Sequence, residues 1–204
     1  MKSFYRRHLP HWHPEGQIFF VTFRVYGSLP KQVIEKLKRK RDALKSEPPR
    51  PDESPGEKAL RESKKMFALM DEALVSKSAG NNYLKKPLLA SMIEDAIVHW
   101  DEKRYILHRY VIMPNHVHLL IEPLTKEENG NPFSLGKIMQ GIKGYTARKA
   151  NRFLGRSGKF WQDESFDHWV RDRREYLRIR QYIDMNPVKA GLCEKPSRWP
   201  WSSA

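Results

Sequence analysis

Residues 113–121 read Met-Pro-Asn-His-Val-His-Leu-Leu-Ile, and this run constrains the rest of the chain more than any other. Val117, Leu119 and Ile121 alternate with His116, His118 and Leu120. A period of two marks a strand with one face turned to a core. His116 and His118 then project from one face, about 6.6 Å apart along the strand. Both rings can converge on a single ion, because metal–nitrogen bonds are only about 2.1 Å long. Pro114-Asn115 is a turn signal, so the strand begins sharply and its first residues sit at a sheet edge or end. Alone, such a pair describes two surface histidines equally well. A third ligand and a reacting group are needed before it specifies chemistry.

The remaining pattern supplies a scaffold. Residues 17–26 are rich in β-branched and aromatic side chains and should form the first strand. The stretch 30–45 reads as a basic amphipathic helix with Val33, Ile34, Leu37 and Leu44 as its stripe. Prolines 48, 49, 51 and 55 exclude regular structure just beyond it. Helical periodicity returns over 57–76 through Leu60, Met66, Phe67, Leu69, Met70 and Leu74. The segment 46–82 is therefore expected to be an insertion within a single 1–204 domain. A helix over 87–100 carries Leu88, Leu89, Met92, Ile93, Ala96 and Ile97. A strand over 105–113 should pair with the His-x-His strand as an antiparallel hairpin. The 134–154 helix presents Leu135, Ile138, Met139, Ile142, Tyr145 and Ala150. Short strands follow around Phe160-Trp161 and over 166–170. Asp172 and Glu175 form a capping-box pattern for a helix over 173–186 that stops at Pro187. The order of elements predicts an α+β fold, an antiparallel sheet with helices packed on one face.

Thirty-eight Lys and Arg against 24 Asp and Glu give a net charge of +14. That excess is more than solubility needs and favours a polyanionic partner, nucleic acid first. No apolar run approaches the roughly 18 residues of a spanning helix. The single cysteine, Cys193, rules out an intrachain disulfide and a thiolate zinc cage, which fits a reducing cytoplasm. Residues 1–16, with His8, His11, Trp12 and His13, read as a basic aromatic arm that contacts nucleic acid or frays.

The closing helix strengthens the case. Tyr182 and Asn186 stand at i and i+4 on one face, with Arg178 a turn earlier. Two neutral imidazoles and an amide oxygen leave open positions on a divalent ion, and a set without thiolates suits Mg²⁺ or Mn²⁺. Tyr182 as a core tyrosine and Asn186 as a plain helix end are the bland alternatives. Tyr145, in a basic helix, is the rival nucleophile, but Lys149 occupies its i+4 position and would repel a metal.

Met-Pro-Asn-His-Val-His-Leu-Leu at 113–120, Tyr-Ile-Asp-Met-Asn-Pro-Val-Lys-Ala-Gly-Leu at 182–192 and Trp-Pro-Trp-Ser-Ser at 199–203 resemble the single-tyrosine transposases. These are the IS200/IS605-like HUH nucleases, and the likeness is to their REP-associated branch, from about residue 84 to the end. The resemblance implies a ferredoxin/RRM-like sheet, with His116, His118 and Asn186 as ligands of Mg²⁺ or Mn²⁺ and Tyr182 as nucleophile. It implies cleavage and rejoining of single-stranded DNA through a 5′-phosphotyrosine, at hairpins such as repetitive extragenic palindromes, by a monomer or homodimer in the cytoplasm at the nucleoid. Relatives with glutamine at the third-ligand position exist, so the asparagine marks the branch. Arg178, Lys143, Arg148, Lys149 and Arg152 are the candidate DNA contacts. Two other classes remain open: a DNA or RNA hairpin-binding protein without catalysis, and a hydrolytic metal nuclease using Glu122, which shares the histidines' strand face.

Overall fold

The computed structural model describes residues 4–6, 10–12, 16–76, 80–126 and 130–204. Strands β1 (Phe4–Arg6) and β2 (Pro10–Trp12) pair antiparallel. The arm expected over 1–16 is thus a small hairpin in part, while His8 and His13 lie outside the described residues.

The main sheet is built from β3 (Phe19–Arg24), β4 (Tyr105–Ile112), β5 (His116–Pro123) and β6 (Phe166–Trp169) in the order β4-β5-β3-β6. Every neighbouring pair is antiparallel. The helices are α1 (Lys31–Ser46), α2 (Pro55–Val75), α3 (Pro87–Val98), α4 (Leu135–Phe153) and α5 (Arg173–Lys189). With α3 between β3 and β4 and α4 between β5 and β6, the chain follows a βαββαβ path through a four-stranded antiparallel sheet. This is the ferredoxin-like α+β arrangement anticipated above. The α1–α2 hairpin is spliced between β3 and α3.

Side-chain alternation divides the core into two. Phe19, Val21 and Phe23 of β3 join Val117, Leu119 and Ile121 of β5 beneath α3 and α4. Phe20 of β3, Val111 of β4 and Leu120 of β5 face the other way, against Ile183 of α5 and Phe67 and Met70 of α2. Two helices cover one face as expected, and α2 and α5 add cover to the second. A β5 strand with only one buried face is corrected accordingly: residues 116–121 are buried on both faces, because β5 is an interior strand of a sheet roofed on both sides.

Local chemistry explains several boundaries. Ser54 and Glu57 make a full capping box at the start of α2, where Pro55 needs no hydrogen-bonded N–H. Asp172 caps α5 by accepting from the Glu175 N–H at 2.7 Å, but the expected reciprocal half is missing. Glu175 instead accepts from Lys64 Nζ (2.7 Å) and the Arg171 N–H (3.1 Å) and meets His168 Nε2 at 3.0 Å. The helix expected to stop before Pro187 continues to Lys189, since a proline in the last turn forfeits only one backbone bond. Leu88 and Tyr145, expected in apolar stripes, are 67% and 42% exposed. The tail runs beside β4, where the Ile112 N–H donates to Trp201 O at 2.8 Å. Among the described residues no helix is long and apolar enough to cross a membrane.

Gly80 locks the α1–α2 segment to the end of β3. Its N–H donates to Ser28 O (2.8 Å), and a Cβ there would stand 2.2 Å from the Gly27 carbonyl oxygen. Gly80→Ala should therefore cost about 1–3 kcal/mol by forcing two backbones apart. Thermal unfolding of the purified variant checks this, and an unchanged midpoint would show that the loop yields freely.

A candidate metal centre beside a buried tyrosine

The site forms where β5 begins. Antiparallel register sets Thr22 opposite His118 and Arg24 opposite His116. Both imidazoles are fully buried, and their Nε2 atoms are 3.1 Å apart. The other ring nitrogens are held from behind. Asn115 donates its amide N–H to Leu74 O at 2.8 Å, so its oxygen faces His116 Nδ1 at 2.6 Å. An acceptor there places the ring proton on Nδ1 and leaves the Nε2 lone pair pointing into the site. Thr22 Oγ1 lies 2.7 Å from His118 Nδ1 and can accept from it in the same way. The ring of Phe20 stacks on His118, with centroids 5.5 Å apart.

Helix α5 delivers the two residues that the i, i+4 spacing paired. Asn186 Nδ2 is 3.3 Å from His118 Nε2, and Asn186 Oδ1 is buried without a hydrogen-bond partner. The Tyr182 ring packs against His118 with centroids 5.4 Å apart. Its hydroxyl donates to Asp71 Oδ2. The structure therefore brings His116, His118, Asn186 and Tyr182 of one chain together.

Asp71 was not anticipated from the sequence. It stands on α2, and its Oδ1 lies 3.3 Å from His118 Nε2 and 3.8 Å from His116 Nε2. Ligand atoms of Asp71, His116 and His118 all fall within 4.8 Å of one another, a group able to hold a metal ion. Asp71 Oδ1 is itself buried with no hydrogen-bond donor. An orphaned Asp71 oxygen facing two imidazole nitrogens whose other sides are tied back, with a second unpartnered oxygen on the neighbouring Asn186 amide, fits a divalent cation. A signal was present in the sequence: Phe67, Met70, Asp71 and Leu74 fall at i, i+3, i+4 and i+7, which puts a carboxylate on an apolar stripe.

The electrostatics follow from burial. Desolvation pushes the His116 imidazole down to about 3, the charge of His118 adds to that, and Asp71 opposes it. Burial would raise the Asp71 carboxyl, but His118 and His116, once protonated, and the Tyr182 hydroxyl together hold it at about 2. The Tyr182 phenol is raised well above its ordinary value by burial and by the charge and hydrogen bond of Asp71. In this arrangement the phenol keeps its proton.

The remaining candidates lie elsewhere. Arg178 is exposed at the mouth of a cleft of about 260 Å³ that also borders Tyr182, Phe67 and Lys64. Arg148, Lys149 and Arg152 are exposed on α4, the helix packed on the opposite face of the sheet, and Tyr145 shares that helix. Lys143 donates to Gln162 O (2.8 Å), Asp163 O (2.9 Å) and Ser165 Oγ (3.2 Å), tying α4 to the loop before β6. Glu122 pairs with His108 at 3.3 Å, away from the histidine pair.

A family model described as "Transposase IS200 like" matches residues 79–186, which include both histidines, Tyr182 and Asn186. The chain belongs to this family. Among the relatives of this chain, a REP-associated tyrosine transposase of Escherichia coli (strain K12) is 28% identical over 115 residues, 55% of this chain and 62% of that protein. A Haemophilus influenzae protein named as a candidate of the same kind is 27% identical over 97 residues, 45% of this chain and 54% of that one. The chain thus spans about half to three fifths of the length of these curated relatives. A solved REP-associated tyrosine transposase, bound to a REP hairpin, shares the fold at a TM-score of 0.54 and 18% identity, over 98% of this chain and 81% of that one. Asp71 lies outside the residues that the family model matches.

Proposed function

We propose that this transposase-family chain cleaves and rejoins single-stranded DNA at the foot of hairpins, with Tyr182 as nucleophile and His116, His118 and Asn186 as ligands of Mg²⁺ or Mn²⁺. The observation that carries this reading is the convergence, in one chain, of two Nε2 atoms 3.1 Å apart, the Asn186 amide, whose oxygen has no partner, and the Tyr182 hydroxyl. A divalent ion bound there supplies Lewis-acid polarisation of the scissile phosphodiester. Tyr182 Oη attacks phosphorus in line, and the bond from phosphorus to the 3′-oxygen breaks. The 5′-phosphate stays on the tyrosine, and the leaving oxygen becomes a 3′-OH once protonated. No water enters, so a second 3′-OH can reverse the step. The phenol must surrender its proton during attack, and the group it donates to in this structure is Asp71 Oδ2. Tyr182 packs against His118 of its own chain, which supports a site assembled within one chain.

The test uses a hairpin oligonucleotide labelled on the 3′ side of the cleavage point. Wild type should form a Mn²⁺-dependent covalent adduct, Tyr182→Phe none, and Tyr145→Phe an undiminished amount. Persistence of the adduct in Tyr182→Phe would overturn the nucleophile. Cleavage that never leaves an adduct would point to hydrolysis instead, and tight binding with neither would leave a hairpin-binding protein.

The net charge of +14 supports the nucleic-acid partner. Hairpin affinity should fall by about a hundredfold or more between roughly 50 and 200 mM salt, as phosphate contacts release counterions. Filter binding across that range is the check, and a flat curve would remove the electrostatic basis. Arg148, Lys149 and Arg152, all exposed, are the proposed phosphate contacts on α4, with Arg178 nearer the nucleophile.

A further inference from the structure

The α1–α2 hairpin is a stiff unit pressed onto the site. Arg61 donates to Glu53 at 2.7 and 2.9 Å and to Glu47 at 2.8 Å, and Lys65 donates to Glu47 at 3.0 Å, so the two helices are braced across their connection. Phe67 stacks on Phe166 of β6 with centroids 4.3 Å apart, and Lys64 reaches Glu175 of α5 at 2.7 Å. Beneath this hairpin sit the histidine pair and Tyr182. The cleft of about 260 Å³ reaches Tyr182, and another of about 210 Å³, lined by Leu74, Asn115 and His116, opens at the C-terminal end of α2.

The distances around Asp71 are those of a coordination shell. Two ligands bound at about 2.1 Å to one ion stand roughly 3.0 Å apart at a right angle and roughly 3.4 Å apart at the tetrahedral angle. The edges among His116 Nε2, His118 Nε2 and Asp71 Oδ1 measure 3.1, 3.3 and 3.8 Å. Asp71 Oδ1 has no hydrogen-bond donor, although it is buried. Three electron-rich atoms this close are reconciled by a cation among them. The other carboxylate oxygen, Oδ2, is engaged by the Tyr182 hydroxyl.

We propose that Asp71, carried by α2 from outside the family-matched residues, is an anionic ligand of the divalent ion, so that the ion binds before DNA does and pins the α1–α2 hairpin across the site. This rests on the reading of His116, His118 and Asn186 as a metal site. One carboxylate then links ion and nucleophile, with Oδ1 on the metal and Oδ2 on the phenol. A set of two imidazoles, a carboxylate and an amide prefers Mn²⁺ to Mg²⁺, which takes imidazole poorly and retains water. Because Asp71 belongs to α2, metal binding and docking of α2 are linked equilibria: whatever loosens one loosens the other.

The DNA-free full chain is titrated with Mn²⁺ and read by the loss of the free-ion EPR signal, with hydrogen exchange of residues 55–75 followed in parallel. Wild type should bind one Mn²⁺, and its α2 amides should exchange more slowly with the ion present. Asp71→Asn keeps the size and an acceptor for Tyr182, and should weaken Mn²⁺ at least tenfold and erase the exchange effect. His118→Ala should lose binding, and Tyr145→Phe should match wild type. Far-UV circular dichroism confirms folding, and Asp71→Ala serves if the asparagine variant fails to fold. Wild-type Mn²⁺ affinity in both Asp71 variants overturns the proposal. So does tighter binding with faster cleavage, which would make Asp71 an obstruction in the place of the scissile phosphate. The two readings fail separately: Asp71-dependent Mn²⁺ binding without an adduct sinks the transposition chemistry alone, whereas an adduct with Asp71-independent Mn²⁺ affinity sinks this proposal alone.

Discussion

Alanine in place of His116 or His118 should reduce single-turnover strand cleavage at saturating Mn²⁺ by about a thousandfold or more, while hairpin affinity changes far less. The magnitude follows from removing the charge stabilisation of the phosphoryl transition state, which is worth several kcal/mol. No described neighbour can stand in: the rings are fully buried, and Asn115 and Thr22 hold their far nitrogens. Binding should survive because phosphate recognition is spread over exposed cations such as Arg148 and Lys149. Asn115→Ala should act more mildly, by about 10–100-fold in metal affinity, since it only orients His116. It would also release Leu74 O, which accepts the Asn115 amide at the end of α2. A His118→Ala variant that folds and cleaves within tenfold of wild type would end the metal-site reading.

The parts of this centre that the sequence made legible are those carried by a regular period. Alternation placed His116 and His118 on one strand face, and helical spacing paired Tyr182 with Asn186; both relations depend only on local backbone geometry. Which strand is interior depends on the order β4-β5-β3-β6, a tertiary fact, so the second buried face of β5 did not show. Pro187 read as a stop, but in a last turn it disrupts little, and packing of Ile183 beside it keeps the helix intact. Leu88 looked like core by type, yet it falls on the solvent side of α3 while Leu89, Ile93 and Ile97 face inward. Asp71 was the costliest omission. Its segment had no motif to announce it, and its importance arises only when α2 folds back over β5. Even so, an aspartate between Met70 and Leu74 on an apolar stripe is a local conflict, and such conflicts tend to mark function.

Acid should destabilise the metal-free protein progressively from about pH 6.5 downward, with unfolding complete near pH 3–4, a cumulative loss on the order of several kcal/mol. The sign comes from two sets of groups. Burial holds His116 at about 3 and also lowers His168, against an ordinary imidazole near 6.5. The unfolded chain therefore takes up protons on these rings below about pH 6.5 that the folded chain refuses, and each step down in pH favours unfolding. Asp71 and Glu175 act lower. Burial would raise both, but Asp71 is held at about 2 by His118, His116 and Tyr182, and Glu175 at about 2 by Lys64, the Arg171 N–H and His168. Their stabilising contribution is present above the ordinary carboxylate range and is lost as pH falls from about 4.5 toward 2. The two windows share a sign and overlap, so the slope steepens below pH 4.5. Urea midpoints measured in EDTA between pH 8 and 4 should be level above pH 7 and then decline steadily. Repeating the series with saturating Mn²⁺ should raise the midpoints at pH 6–7, because the ion binds the neutral rings, and the gain should shrink as protons compete. Midpoints that stay level to pH 4 in EDTA would mean that the imidazoles are not held neutral by burial.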